Sequence, residues 1–284
     1  MATAPDLRTS DKSRDQQVRV VSNSASRAGD IMVRWLTVPL VLIAAWQVAA
    51  WTLGSFTVAS PLDTVTELWR MSSVGTLGAH LTETLVALAY GFSMAAIGGL
   101  AAGFLIGRSR FAYSVFEPMV MALYTMPKIA LFPVFLFAFG LTMSAKAWLA
   151  MSFGIFPILI FTMDGTRSVS PVLTKVGRAL GLSPLRMFAS VTLPASLPSL
   201  VTGLRMGISV TFLGVILGGM FASQRGLGFL LIESVTLHNM PRLYALVFLL
   251  VLIALALNGF FLLLQNWASR GRPVQTGQGA VGAT

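Results

Sequence analysis

The side chains able to do chemistry are few and far apart in this sequence. It has no cysteine, and its two histidines, His80 and His238, are far apart and cannot by themselves supply the three ligands of a metal site. Both are expected to be solvent-facing loop residues. The apolar segments contain no cluster of His, Asp, Glu or Ser such as a membrane-embedded enzyme needs. Two basic residues, Lys128 and Arg205, lie close to apolar stretches. Charge at membrane depth is costly, so both are candidates for contact with an anion, with snorkelling to the interface as the alternative.

A nucleotide-binding motif is missing as well. No G-x-x-x-x-G-K-[ST] phosphate loop occurs, so the chain is not expected to bind ATP by that route. The sequence therefore predicts no catalytic residue, no metal site and no cofactor in this chain.

The elements that would position Lys128 and Arg205 are apolar helices. Hydrophobic residues make up 55% of the chain and charged residues 11%, whereas soluble domains carry about 25% charged residues. The apolar runs lack the alternation of transmembrane β-strands and approach the roughly 20 residues that a helix needs to cross a bilayer. We predict an all-α integral membrane protein with about six transmembrane helices. The predicted spans are Trp35–Leu62, Thr84–Gly107, Ile129–Ala145, Ala147–Met163, Met206–Gln224 and Leu243–Ser269.

The distribution of basic residues predicts the orientation of these spans. Fourteen Lys and Arg residues fall in the tails and loops on one side, against four on the other. By the positive-inside rule, both termini of this multi-pass protein are expected in the cytoplasm. Orientation accounts for the net charge of +10 without a nucleic-acid partner. Residues 1–32 and 271–284 are polar or Gly-rich and are predicted to be disordered cytoplasmic tails around a membrane domain at 33–270.

Prolines mark the helices that could line a pathway. Pro127 and Pro133 in the third predicted helix and Pro157 in the fourth remove backbone donors, which kinks or breaks a helix. Broken helices at membrane depth occur where they line a cavity or are buried in protein. Simple kinks are the alternative. Pro133 and Pro157 are therefore candidate pathway residues with Lys128 and Arg205.

The second predicted helix carries a stripe of small residues at every fourth position. Such a stripe allows close approach of helices in lipid. It serves either packing within the chain or contact with a second subunit. The stripe consists of Gly91, Ala95, Gly99, Gly103 and Gly107.

A long polar connection at about 164–199 has helical order of its own. Val172, Val176 and Leu180 recur at helical spacing, and Gly181 is a plausible helix end. Ser183 and Pro184 are typical of the first positions of a further short helix, predicted to run to about Val191 with Leu185 and Phe188 on one face. An apolar and basic surface of this kind predicts a protein partner.

The spacing from Gly181 to Val191, Leu193 and Pro194 resembles the coupling motif of ABC importer permeases. The run TMPKIALFPVFLFAFG from Thr125, GLRMG from Gly203 and RGLGFLL from Arg225 resemble permeases of the nitrate, sulfonate and taurine type. Two positions depart from the pattern. Lys175 stands where the motif usually has Glu, and Gly219 stands where relatives often have Glu.

The resemblance implies a type I ABC importer permease in a bacterial inner membrane. Cytoplasmic ABC ATPase subunits would bind ATP and Mg, an external substrate-binding protein would deliver the solute, and a second copy of the permease would complete a homodimer. The solute would be a small anion such as nitrate, a sulfonate or taurine. Glu83 and Glu233 are candidate contacts for the binding protein, because both lie on the outer side. The implied ATPase-coupling residues are Lys175, Arg178, Ala179, Leu180, Gly181, Leu182, Ser183, Pro184, Leu185, Phe188, Leu193 and Pro194.

Two other classes of transport protein remain open from the sequence. A secondary transporter would usually show inverted repeats and intramembrane carboxylates, and neither is evident here. A channel is harder to exclude, but it gives no reason for an ordered loop around Gly181.

Overall fold

A computed structural model describes residues 37–54, 56–221 and 223–269 of the chain. The two predicted tails, 1–32 and 271–284, lie outside these residues. The described part contains helices joined by turns and no strand, which confirms the all-α class. Clustering of contacts divides the chain into two units, one up to Val65 and one from Thr66.

The first unit contains an apolar helix and a turn. Helix α1 (Thr37–Leu53) is followed by Gly54, whose φ of 77° lies in the left-handed region that ends helices. The indole Nε1 of Trp46 donates a hydrogen bond to the carbonyl of Ala59 at 2.9 Å, which fastens the turn to the helix. The predicted continuous span Trp35–Leu62 is therefore wrong at its C-terminal end, because the helix ends at Leu53. Helix α2 (Pro61–Ser73) follows.

The second unit contains the main membrane-crossing helices. They are α3 (Thr76–Gly107), α6 (Met143–Arg167), a continuous helical stretch Pro184–Phe221 and the apolar part of the last helix, Met240–Trp267. A bent pair, α4 (Arg110–Thr125) and the stretch Lys128–Phe139, adds a fifth if it is one span. The described residues thus give four or five spans, and α1 is apolar but shorter.

Shorter elements complete the order of the second unit. Helix α5 (Phe132–Phe139) follows a 3₁₀ turn at Lys128–Leu131. Helices α7 (Pro171–Ala179) and α8 (Pro184–Met187) precede a π-helical turn at Phe188–Thr192. They are followed by α9 (Leu193–Phe221), α10 (Leu227–Thr236) and α11 (Met240–Ser269).

The third predicted helix, Ile129–Ala145, does not exist as one helix. Its chain turns at Gly140, where φ is 67° and ends α5, and α6 then begins at Met143. The break at Pro127 is confirmed, because the two halves of the pair are bent by 82°. Pro133 lies in the first turn of α5, where the missing donor is tolerated, and Pro157 lies inside α6 without interrupting it.

Helix α3 begins earlier than predicted, at Thr76, and the small-residue stripe packs it onto α6. A Cβ on Gly103 would lie 2.6 Å from Thr162 Cβ, and one on Gly107 would lie 2.7 Å from the carbonyl oxygen of Met163. Ala95 is fully buried. Such distances leave no room for larger side chains, so van der Waals packing of backbones holds these helices together in lipid. Packing within the chain therefore explains the stripe.

Helix α6 also packs closely on α9. A Cβ on Gly207 would lie 2.5 Å from Cγ1 of Ile158, and one on Gly214 would lie 2.9 Å from Cα of Ala150. Gly219, near the end of α9, meets the backbone of Gly228 in α10, where its Cβ would lie 3.3 Å from Cα. Gly219, where an acidic residue was expected, thus lies at a close contact between α9 and α10.

Candidate functional site

The loop between α6 and α9 is built by local capping signals. The hydroxyl of Ser170 accepts a hydrogen bond from the backbone N–H of Val172, which starts α7. At the other end, Leu182 N donates to Gly177 O at 3.1 Å and Gly181 N donates to Arg178 O at 3.0 Å. These two bonds and the φ of 69° at Gly181 form a Schellman motif. The predicted helix end at Gly181 is confirmed.

The second helix of the loop begins as predicted but does not end as predicted. The hydroxyl of Ser183 accepts from Arg186 N, and Pro184 occupies the first turn. Instead of stopping near Val191, the helix continues through the π-helical turn into α9. Pro194 cannot donate a backbone hydrogen bond, and its ring would crowd the preceding turn of a regular α-helix. A π turn just before it relieves that conflict without ending the helix.

Two contacts hold the loop. A Cβ on Gly177 would lie 2.6 Å from Cε of Met187, so α7 lies tightly against the start of the second helix. The ring of Phe188 meets that of Phe104 in α3 edge to face, with centroids 4.9 Å apart. Phe188 was predicted to lie on one face of the short helix with Leu185. Leu185 is exposed, whereas Phe188 is half-buried and anchors the loop to α3.

An exposed apolar surface remains on the loop, and we call it the apolar loop face. Leu185 is 77% exposed and Leu180 is 72% exposed. Large apolar side chains grouped outside a membrane-crossing helix indicate a contact surface. Leu182, Leu193 and Pro194 are only half-exposed, whereas Ala179, Gly181, Ser183 and Pro184 are exposed. The face consists of Val172, Leu173, Val176, Leu180 and Leu185.

Lys128 occupies the break between α4 and α5. The residue is 8% exposed, and its Nζ donates to the carbonyl of Tyr124 at 2.5 Å. The Nζ also lies 4.9 Å from the ring centroid of Tyr124 and 5.1 Å from that of Phe156. Aromatic faces stabilise a desolvated cation. Within the described residues no carboxylate lies within 4.0 Å of it, and its burial argues against snorkelling.

Arg205 has a different environment. Its guanidinium donates to the side-chain oxygen of Gln265 in α11 at 3.3 Å, and Gln265 in turn donates to Thr202. The contact joins α9 to α11. Pro157 is buried inside α6. Of the four candidate pathway residues, Lys128 alone combines charge, burial and a broken helix.

Polar contacts that the sequence pattern did not reveal lie at one end of the bundle, around Glu83, Lys146 and Gly226. Lys146 Nζ lies 2.7 Å from Glu83 Oε1 and 3.0 Å from Ser223 Oγ. His80 was expected to face solvent, but its Nδ1 accepts a hydrogen bond from Gly226 N at 3.0 Å. Glu233 pairs with Arg242 at 2.8 Å. Because these partners are distant in sequence, local spacing gave no signal for the contacts.

Comparisons with known proteins agree with this architecture. Residues 94–272 match the family described as the binding-protein-dependent transport system inner membrane component. The chain is 32% identical over 199 residues to a protein of Escherichia coli (strain K12) assigned as the aliphatic sulfonates transport permease SsuC, covering 69% of this chain and 75% of the relative. It is 28% identical over 235 residues to the nitrate import permease protein NrtB of Synechocystis sp., covering 80% and 85%.

A solved structure has the same fold. The inward-facing MetNI methionine ABC transporter matches with a TM-score of 0.59 at 20% identity, covering 66% of this chain and 94% of that chain. The similarity of fold extends over nearly the whole of the solved chain.

Proposed function

Because the chain belongs to the family of binding-protein-dependent transport system inner membrane components, as an ABC importer permease, we propose that it forms the translocation pathway for a small anionic solute. Its relatives named for nitrate and sulfonate transport support this class of substrate. One residue supports the proposal most directly. Lys128 is a buried cation without a carboxylate partner among the described residues, and it lies at a broken membrane helix. A buried positive charge favours an anion over a cation or a neutral solute.

The energy for transport comes from separate ABC ATPase subunits, which bind ATP and Mg. They contact the loop around Gly181 through the apolar loop face, whose Leu180 and Leu185 are exposed and project from the helix ends. Both termini lie in the cytoplasm, on the same side as this loop. A second copy of the permease completes the membrane unit, and a binding protein docks on the opposite side.

The loop has a structure suited to transmitting motion. The Schellman turn at Gly181 and the contact of Gly177 with Met187 join α7 rigidly to the start of the second helix. That helix runs without a break into α9, which packs on α6. A displacement of the loop by the ATPases therefore moves α9 as one body. Alternating access follows when the two ATPase states favour different positions of α9.

The coupling assignment is tested with Leu185→Glu, because Leu185 is so exposed that the substitution leaves the fold intact. Leu237→Glu is the matched control. Leu237 is 64% exposed and follows the last residue of α10, away from the loop. Both variants are expected to insert normally. Leu185→Glu should lose co-purification with the ATPase subunits and ATP-dependent uptake, whereas Leu237→Glu should keep its ATPase. Uptake by Leu185→Glu at the wild-type rate would refute the assignment.

Transport without an ATPase partner would favour a secondary transporter or a channel instead. Reconstituted permease alone, assayed for nitrate or sulfonate flux with and without an ion gradient, separates these classes from the ATP-driven one. No flux is expected.

A further inference from the structure

The two faces of helix α7 differ in composition and in surroundings. Pro171, Thr174, Lys175 and Arg178 follow the i, i+3, i+4, i+7 spacing of one helix face, and this face lines a cleft of about 370 Å³. The opposite face carries the exposed Val172, Leu173 and Val176. An ordinary surface helix buries its apolar face and exposes its charges. Here the basic face lines the cleft, and Lys175 and Arg178 remain exposed to solvent there.

Basic side chains from three segments meet in this cleft, which we call the basic cleft. The turn between α3 and α4, the end of α6 and the inner face of α7 each contribute. These side chains are exposed to solvent, and like charges grouped in one cleft create a positive potential that attracts an anion. The cations are Arg108, Arg110, Arg167, Lys175 and Arg178.

The protein does not supply that anion within its described residues. No carboxylate lines the basic cleft, and none of its five cations has an ion pair there. Asp164 and Glu117 lie outside the cleft lining, and Tyr113 Oη lies 2.9 Å from Asp164 Oδ1 and 3.0 Å from Glu117 Oε1. Arg167 itself stacks on the ring of Tyr113 at 4.3 Å, which fixes its position at the wall of the cleft.

The basic cleft lies at the level of lipid headgroups. Helix α6 has 25 residues and ends at Arg167, so it is about 38 Å long, against about 30 Å for the hydrocarbon core. A centred helix therefore carries its last residues a few ångströms into the headgroup layer. Gly107, at the end of α3, packs on Met163 and Thr166, so both helices end at that level.

An apolar cleft adjoins the basic one. It has a volume of about 590 Å³ and shares Arg108 and Arg178 with the basic cleft. Its apolar wall includes Leu182, Leu185, Met187 and Phe188, of which Leu185 is also part of the apolar loop face. Cations beside an apolar groove match a ligand that joins an anionic group to a hydrocarbon chain. Basic pockets of this kind between membrane helices bind anionic headgroups.

We propose that the basic cleft binds the phosphate headgroup of an anionic phospholipid and that the adjoining apolar cleft receives the first part of an acyl chain. The inference goes beyond transport and needs only that the chain lies in a membrane. On α7 the apolar loop face lies opposite the basic cleft, whereas Leu185 in α8 belongs to the apolar loop face and also lines the apolar cleft. The bound lipid would contact the basic face of α7 and hold this helix in the position in which the ATPase binds the loop.

The test measures lipid binding to the purified full-length chain by native mass spectrometry. Phosphatidylglycerol is compared with phosphatidylcholine of the same acyl chains. The variant Arg108→Gln/Arg110→Gln removes two cations without touching α7, and Arg70→Gln/Arg225→Gln removes two exposed arginines elsewhere as the control. At about fivefold per cation, the cleft variant should bind phosphatidylglycerol about 25-fold more weakly, with phosphatidylcholine binding unchanged. The control should match wild type.

Further arms identify the source of the anion. Wild-type binding of phosphatidylglycerol should weaken as salt rises, which checks the charge without any substitution. Inorganic phosphate at equal concentration should not displace the lipid; if it does, the site takes a free anion and the proposal is overturned. Equal binding of the two lipids, or wild-type affinity in the cleft variant, also overturns it. Loss of ATPase co-purification with unchanged lipid binding would assign the cleft to the protein partner instead.

Discussion

Lys146 in α6 and Glu83 in α3 form an ion pair of 2.7 Å in which the lysine side chain is 4% exposed and the glutamate 25% exposed. Ser223 also accepts from Lys146 Nζ, so the pair ties the segment before α10 to both helices. Next to it, Gly226 N donates to His80 and Leu227 N donates to Thr84 Oγ1. The end of the bundle around Lys146 and Glu83 is therefore fixed by polar contacts between segments that are distant in sequence.

We expect Lys146→Met to destabilise the protein, because it leaves Glu83 with a charge that is partly buried and unpaired. Breaking a fully buried pair costs about 3 to 5 kcal/mol, and the partial exposure of Glu83 reduces this to about 2 kcal/mol. The measurement is thermal unfolding in detergent. Glu83→Gln should lose at least as much, because it leaves the charge of Lys146, whose side chain is only 4% exposed, without a carboxylate. The double variant should recover part of the loss. Additive effects in this double-mutant cycle would contradict a direct interaction.

The contact between α3 and α6 predicts a sharp difference between two glycines. Gly103→Ala places a Cβ within 2.8 Å of the carbonyl oxygen of Leu159, so the helices must separate. We expect a loss of about 1 to 3 kcal/mol, as for other overpacked sites. Gly259→Ala in α11 meets no atom within 4 Å and should be neutral or slightly stabilising. Unfolding of the two variants in the same detergent checks the difference, and similar losses would show that the contact is not tight.

The features that could be predicted from the sequence are those fixed by residues a few positions apart. Ser183, Pro184 and Gly181 act on backbone groups a few residues away, so the helix ends in the loop were predictable. The link between His80 and Gly226 spans 146 positions, and no local pattern encodes it. For the same reason His80 was predicted to face solvent.

Side-chain direction was the other limit. The helical spacing of Val172 and Val176 was visible in the sequence, but which face of α7 turns outward depends on the ends of α3 and α6. Phe188 illustrates the same point, since its ring is directed inward by Phe104, which lies far away in the chain. The third span failed at Gly140, because an apolar run gives no warning of a single residue with positive φ.

Gly181 supports a prediction about the shape of the loop. Its φ of 69° suits glycine, and a Cβ there would meet no atom within 4 Å. Gly181→Ala should therefore cost about 1 to 2 kcal/mol through backbone strain alone, without a steric clash. The loss should appear as faster hydrogen exchange in residues 177–187, with unchanged exchange in α3. Gly54 has a φ of 77°, which is likewise positive, so Gly54→Ala is a control for backbone strain outside the loop. This variant should leave ATPase binding intact.

Substitution of Lys128 is expected to reduce transport without reducing stability. A buried cation held by a carbonyl and two rings makes little net contribution to folding, because desolvation offsets its contacts. We expect Lys128→Met to unfold at the wild-type temperature or above. Its uptake of an anionic solute should nevertheless fall about tenfold or more, the effect of losing one charge-assisted contact of about 1.5 kcal/mol.

Two further variants at the same assay make the Lys128 prediction specific. Lys128→Arg keeps the charge and should retain more uptake than Lys128→Met. Arg205→Met removes the contact with Gln265 between α9 and α11, so it should lower the unfolding temperature more than Lys128→Met does. Uptake and unfolding are measured on the same preparations. If Lys128→Met transports nitrate or a sulfonate at the wild-type rate, the buried cation has no part in the pathway, and the anionic substrate class loses its structural support.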